Sequence, residues 1–218
     1  MTILEAIDAR HSVRQYQNRP IEPEKKAALQ AEVDRCNEES GLHIQLITDE
    51  PEAFTGTMAH YGHFTGVSNY IALVGPKSKQ LGEQAGYYGE RIVLLAQTLG
   101  LNTCWVALTF SKRKCKAVVN KGEKLALVIS LGYGKTQGHE RPSKTAADVA
   151  DMTDAPDWFR AGIDAALKAP TAVNQQRFRF IRDGEAVKAE ATGGFYSDVD
   201  LGIVKYHFEV ASGRRIES

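Results

Sequence analysis

Net charge is the first thing missing. Over 218 residues, 27 Lys plus Arg balance 27 Asp plus Glu. A chain of zero formal charge exerts no bulk pull on nucleic acid or on an anionic membrane surface, and neither is expected as a partner. Cysteine is scarce too. Cys36, Cys104 and Cys115 are odd in number and scattered, with no CxxC pair and no metal-ligand spacing. A disulfide framework is therefore not expected, and a reduced, cytoplasmic protein is the natural reading. No apolar run approaches the ~20 residues of a membrane span. Met1-Thr2-Ile3-Leu4-Glu5 does not read as a signal peptide. There is no Ser-His-Asp set, Walker loop or GxGxxG. His60, Tyr61 and His63 fall in MAHYGHFTG. A His-x-x-His pair without a third nearby ligand reads as a polar loop, so no metal is expected.

What is present is ordinary for a soluble globular protein: 43% hydrophobic and 25% charged residues. The length allows one large domain or two small lobes with ample core. A short helix is expected over 2–9, with Thr2 as N-cap and Glu5 three residues on. A second helix is expected from Pro23 through Asn37. Leu42 to Thr48 alternates like a strand, and Asn69 to Val74 reads as another, ended by Gly75-Pro76. Tyr87 to Leu99 is too apolar for a surface helix and reads as a buried central one ending at Gly100. Cys104 to Phe110 is a strand or extended loop, Ser111 to Val119 a short solvated helix, and Leu125 to Leu131 an apolar strand. The polar stretch 135–154 reads as a connector.

The pattern then restarts: helix over Asp157 to Lys168, strand over Arg177 to Arg182, helix over Val199 to Ser212. The two long helices carry glycines at matching spacing, Gly89 with Gly100 and Gly202 with Gly213. The arrangement reads as a degenerate internal duplication with a truncated second copy, halves 1–150 and 151–218 together forming one compact unit.

Two stretches carry candidate chemistry. Lys168 to Phe180 reads KAPTAVNQQRFRF, and residues 10–14 read RHSVR. Alone, the first is a helix stop followed by a strand, and the second a solvated turn. Together they resemble the flavin-holding loop APSAxNxQPWxF and the arginine-serine entry motif of FMN-dependent nitroreductases. Leu99 to Val106, LGLNTCWV, is similar to that family's ALGLGTCWIGGF, Leu131 to Gly134 to its LGYP, and Arg141-Pro142-Ser143-Lys144 to its RxRKPLEEV. The late position of the APTA loop is nearest to the TM-nitroreductase branch. Arg177-Phe178 stands where the family has Pro-Trp.

The resemblance implies an α+β nitroreductase fold, a mixed sheet flanked by helices around a central apolar helix pair. It implies an enzyme that uses FMN to pass electrons from NAD(P)H to a small acceptor such as a nitroaromatic or quinone. The flavin carries the chemistry, so no catalytic side chain is expected. Arg10 and His11 would reach the phosphate, with Lys144 and then Arg141 as further clamps. Ser12 would bond the ribityl chain or ring edge, and Arg14 would lie beside N1 and O2. Backbone N–H groups of Val106, Ala107 and Leu108 would pass the N5 edge, and Pro170, Thr171, Ala172 and Asn174 would hold the ring. In the family these motifs come from two subunits of a homodimer. Here the first half has Arg35 to Ser40 where APSAxN would sit, and the second half lacks an RHSVR equivalent. A single-chain pseudo-dimer with one intact site follows, itself a monomer or a homodimer. The alternatives are an oxygen-using flavin enzyme of related fold and a non-catalytic flavin carrier or sensor.

Overall fold

The core is organised by two long helices that touch backbone to backbone. α4 spans Leu81–Thr98 and α7 spans Ser197–Ser212 in a computed structural model that describes residues 1–217. A Cβ on Gly86 would lie 2.0 Å from the Val199 carbonyl oxygen, and one on Gly202 would lie 1.9 Å from that of Glu83. Each glycine faces the carbonyl three residues ahead of the other, and each helix begins five residues before its glycine. The contact is therefore reciprocal, as across a two-fold axis. The match expected between Gly89 and Gly202 is off by about one helical turn: Gly86 is the partner, and Gly89 makes room for the Trp105 ring instead. Periodicity alone fixes which face is apolar, not which glycine lies at a crossing.

Around this pair lie α1 (Ile3–Ala9), α2 (Pro23–Ser40) and α6 (Asp157–Lys168). Thr2 and Glu5 form the expected capping box on α1. Gly162 of α6 lets the Phe208 ring of α7 approach, which packs α6 tightly onto α7. Short helices α3 (Thr57–Tyr61) and α5 (Ala146–Val149) lie in connections. No helix among the described residues is long and apolar enough to cross a membrane.

The main sheet has the order β1-β2-β4-β3, with β1 Gln45–Ile47, β2 Asn69–Pro76, β3 Asn102–Val106 and β4 Glu123–Gly132. All its ladders are antiparallel, which corrects the expectation of a mixed sheet. β2 and β3 do run the same way, but β4 inserts between them. Among the described residues, parallel contacts occur only as isolated bridges such as Ser12 to Thr103. Alternate residues of β2 and β4 serve two faces. Ile71, Leu73, Leu127 and Ile129 face the helices, while Tyr70, Ala72 and Val128 face a second apolar cluster with Phe54, Phe64 and Phe110.

The structure differs from expectation in further places: the central helix starts earlier, at Leu81, and the strand expected from Cys104 runs over Asn102–Val106. Residues 111–119 form turns, not a helix: the Lys116 N–H donates to the Tyr70 hydroxyl, and Val118 exchanges bonds with the Gln45 side chain. Those side chains satisfy the backbone that a helix would have satisfied internally. The first strand is shorter than expected, Gln45–Ile47. A hairpin strand, β6 (Ala186–Ala191), pairs with β5 (Phe178–Asp183). Its sequence AVKAEA has helix-forming composition, and the pairing overrides it. Of the second half, Ser218 lies outside the described residues.

Candidate functional site

Two chain segments from opposite ends of the sequence meet beside β3. The first leaves α1 at Arg10 and runs along β3, with the Val13 N–H donating to the Thr103 carbonyl at 3.0 Å. Tyr16 pins it from beneath: its hydroxyl donates to the Val13 carbonyl at 2.7 Å and lies 2.8 Å from Ser130 Oγ. The second segment leaves α6 at Ala169-Pro170 and coils through Val173, Asn174 and Gln176, all at positive φ. A β-branched residue at φ 45° is strained, so other contacts must fix it.

Those contacts are visible. Asp200 accepts from the Ala172 N–H at 2.9 Å and from Gln175 Nε2 at 2.7 Å. Gln176 is buried, and its side chain accepts from the Lys144 N–H at 2.8 Å and donates to the Leu167 carbonyl at 2.9 Å. Burial raises the Asp200 carboxyl to about 6, against the lowering effect of the Gln175 bond.

The two segments wall two neighbouring clefts. The first, about 560 Å³, is lined by Arg10, His11, Arg141, Ser143 and Lys168, with Asp8, Glu140 and Asp164 also on its walls. The second, about 130 Å³, is lined by Ser12, Arg14, Val106, Ala107 and the loop from Pro170 to Val173, with Tyr196 and Asp200. Arg10, His11 and Lys168 line the first cleft, and Ser12 and Pro170, one and two residues further along the chain, line the second.

Charge is concentrated in the first cleft. Arg10 is 4% exposed. Burial lowers its affinity for its proton, and Glu90 works the other way. Arg141 is pushed down to about 10, first by burial and then by the like charge of Arg10. His11 is lowered by the same two causes. Buried cations that repel one another are relieved by an anion between them. Arg10 Nε is buried without a hydrogen-bond partner, as is Asn174 Oδ1. Arg10 Nε lies 3.8 Å from Glu90 Oε1, whose carboxylate also accepts from Trp105 Nε1 at 2.9 Å.

Ten of the thirteen residues singled out in the sequence line one cleft or the other. Three do not. Lys144 Nζ donates to the Gln176 carbonyl at 2.7 Å, and of these two cations only Arg141 lines the first cleft. Arg141 also donates to the Lys168 carbonyl at 2.9 Å and to that of Ala169, capping α6. Leu108 is 63% exposed and outside the lining. Asn174 acts on the loop, donating to the Pro142 carbonyl at 2.8 Å. Sequence reasoning missed Lys168, Tyr196 and Asp200. Lys168 was legible as a helix end, and Tyr196 as the second residue after Gly193-Gly194. Among the described residues no group of three His, Cys, Asp or Glu could hold a metal.

Comparison with known proteins places the fold. A family model described as "Putative TM nitroreductase" matches residues 2–212. The fold is similar to the crystal structure of a Thermotoga maritima protein described as "a putative nitroreductase": TM-score 0.67, 22% identity, 97% of this chain and 83% of that one. It is similar to a Desulfovibrio desulfuricans protein described as "a putative nitroreductase in complex with fmn": TM-score 0.54, 15% identity, 68% of this chain and 95% of that one. A Bacteroides thetaiotaomicron protein named as an NADH dehydrogenase/NAD(P)H nitroreductase matches at TM-score 0.52 and 20% identity, over 67% of this chain and 95% of that one. No curated protein matches the sequence.

Proposed function

This chain belongs to the nitroreductase family just described, and on that premise we propose that it is an FMN-dependent oxidoreductase that takes electrons from NAD(P)H and passes them to a small acceptor such as a nitroaromatic or quinone. The observation that carries this reading is the first cleft, which the buried Arg10 and the half-buried Arg141 line together with His11. A phosphate monoester matches that cation set in charge and in hydrogen-bonding capacity. Arg10, His11 and Arg141 would hold it, with Ser143 and Lys168 at the rim. The adjoining cleft would take the ring. Ser12 and the Val106–Ala107 backbone would face one edge, Pro170 to Ala172 the ring plane, and Arg14 the pyrimidine end. The flavin, when bound, supplies the electron chemistry. The chain's own part is to fix the ring, set its charge environment and narrow the access of water.

The purified protein is expected to be yellow with one FMN per chain, and NAD(P)H is expected to bleach it under anaerobic conditions. A protein that takes up no FMN when supplied in excess overturns the reading. Bound FMN that NAD(P)H fails to bleach favours a carrier. Arg14→Leu should lower the flavin midpoint potential and slow reduction, because it removes a positive charge beside the edge that gains negative charge. A redox titration with an unchanged or higher midpoint assigns Arg14 no such role.

The site is read as belonging to one chain, a pseudo-dimer with halves 1–150 and 151–218. Three observations support this. The walls from residues 10–14 and 170–173 adjoin within a single chain. The Gly86 and Gly202 contacts are reciprocal. And nearly whole subunits of the shorter relatives match only about two thirds of this chain.

A further inference from the structure

A third cleft, about 480 Å³, opens beside the one assigned to the ring, and Leu127, Tyr196 and Val199 line both. Its charged residues are Lys77, Lys79, Lys124 and Asp198. The fold gathers the three lysines at one end of the sheet. Lys124 on β4 pairs with Gly75 on β2, and Lys77 and Lys79 follow where β2 ends at Pro76 and the chain turns into α4. Asp198 lies in the first turn of α7. All four are exposed. Lysines elsewhere are paired, Lys26 with Asp49 at 2.7 Å and Lys205 with Glu83 at 2.6 Å. Among the described residues no carboxylate, Asp198 included, stands within ion-pair distance of Lys77, Lys79 or Lys124. A lone unpaired lysine on a surface is ordinary. Three in one concavity against a single carboxylate focus a positive potential there.

The rest of the cleft narrows the choice of ligand. Leu81, Ala126, Leu127 and Val199 give it an apolar wall that continues toward the ring cleft. Tyr196 stands at the boundary, 38% exposed and held at φ 53°. A ligand that spans both clefts therefore has a flat ring at one end and several negative charges at the other. A dinucleotide hydride donor has that form. Its nicotinamide is the ring, its pyrophosphate is doubly charged, and NADPH adds a phosphate monoester of about −1.5 to −2 charge. An aromatic carboxylate acceptor brings a single charge to three cations.

We propose that the third cleft binds the phosphates of the electron donor through Lys77, Lys79 and Lys124, with the nicotinamide passing Tyr196 into the second cleft, and that the protein therefore prefers NADPH to NADH. Attraction in a cleft of one sign grows with the charge of the ligand, so the extra phosphate of NADPH decides the preference. Exposed cations are screened by salt, so the preference narrows as ionic strength rises.

The inference rests on the flavin reading above, and the test separates the two. The probe is phospho-ADP-ribose, which is NADPH without its nicotinamide, titrated calorimetrically into FMN-loaded protein. A chain carrying Lys77→Ala, Lys79→Ala and Lys124→Ala should bind it at least about tenfold more weakly at low salt. The matching triple arginine chain keeps the charge and should stay within about threefold of wild type. Substitutions at such exposed positions leave the fold intact, which a thermal melt checks. Anaerobic flavin bleaching reads the donor itself. The NADPH concentration for half-maximal rate should rise at least about tenfold in the alanine chain. The limiting rate, and the rate with an N-alkyl dihydronicotinamide that carries no phosphate, should change by less than about twofold. Equal probe affinity in wild type and the alanine chain overturns the assignment of the cleft, as does a wild-type protein that uses NADH as well as NADPH. An alanine chain that loses affinity for nitrobenzoate but not for the probe gives the cleft to an anionic acceptor and also overturns it. A probe held by the lysines in a protein whose flavin no donor bleaches leaves the phosphate site standing and overturns the redox reading alone.

Discussion

Gly202→Ala is expected to destabilise the protein by about 3 kcal/mol or more, although alanine is the better helix former. The added methyl would lie 1.9 Å from the Glu83 carbonyl oxygen and 2.6 Å from the Tyr87 nitrogen. Both are backbone atoms of a helix, so no side chain can swing aside. The helices must separate, and the apolar packing between them opens along its length. Gly86→Ala meets the Val199 carbonyl oxygen at 2.0 Å and should cost a similar amount. The double variant should cost less than the sum, because the first methyl already forces the helices apart. For a chain of this size each kcal/mol lowers Tm by roughly 2–4 °C. A fall of about 6–12 °C, or loss of soluble protein, is therefore the expected reading of a thermal melt. An unchanged or raised Tm in Gly202→Ala means the helices do not cross in this register.

Arg10→Ala is expected to weaken FMN binding at least about tenfold, since a charge-assisted bond to phosphate contributes roughly 1.5–3 kcal/mol. The fold should survive the change: Glu90 keeps His207 and Trp105 as partners when Arg10 is gone. Asn174→Ala should also weaken FMN, through the loop it ties to Pro142. The two variants can then be mixed, with subunit exchange checked by a tagged chain. A site built within one chain gains nothing from mixing. A site shared between two chains regains part of its activity, because some mixed dimers carry one undamaged site. Recovery on mixing rejects the single-chain site.

Much of this was legible in the sequence because it rests on local rules. The capping box at Thr2 and Glu5, the extent of α6, and the strand from Asn69 follow from caps, periodicity and breakers within a few residues. The site was legible for another reason. RHSVR, which runs extended beside β3, and APTAVN, which coils through positive φ, are each short and contiguous in sequence, so each can be read as a motif without knowing its distant partners. What could not be read is what depends on distant partners. Lys144 and Arg141 are both loop cations in sequence, and only the position of Gln176 decides that Lys144 bonds the loop backbone and stays out of the first cleft. Residues 111–119 look helical until Tyr70 and Gln45 claim their backbone. Glu90 and His207 are unremarkable polar residues on apolar helices. They become a pair only when α4 and α7 cross as close as Gly86 and Gly202 permit.

That crossing also sets how the clefts respond to dilution. Residues 10–14 and 170–173 are joined covalently and clasped by the same helix pair, so their meeting is a unimolecular event. In an obligate two-subunit site, lowering the protein concentration pulls the walls apart. Here the walls face each other at an effective concentration fixed by the fold, the same at nanomolar as at millimolar protein. Two separate codons, those of Gly86 and Gly202, specify the two sides of the crossing, where a symmetric dimer would use one. Each side is free to drift alone, within the clearance the other leaves it.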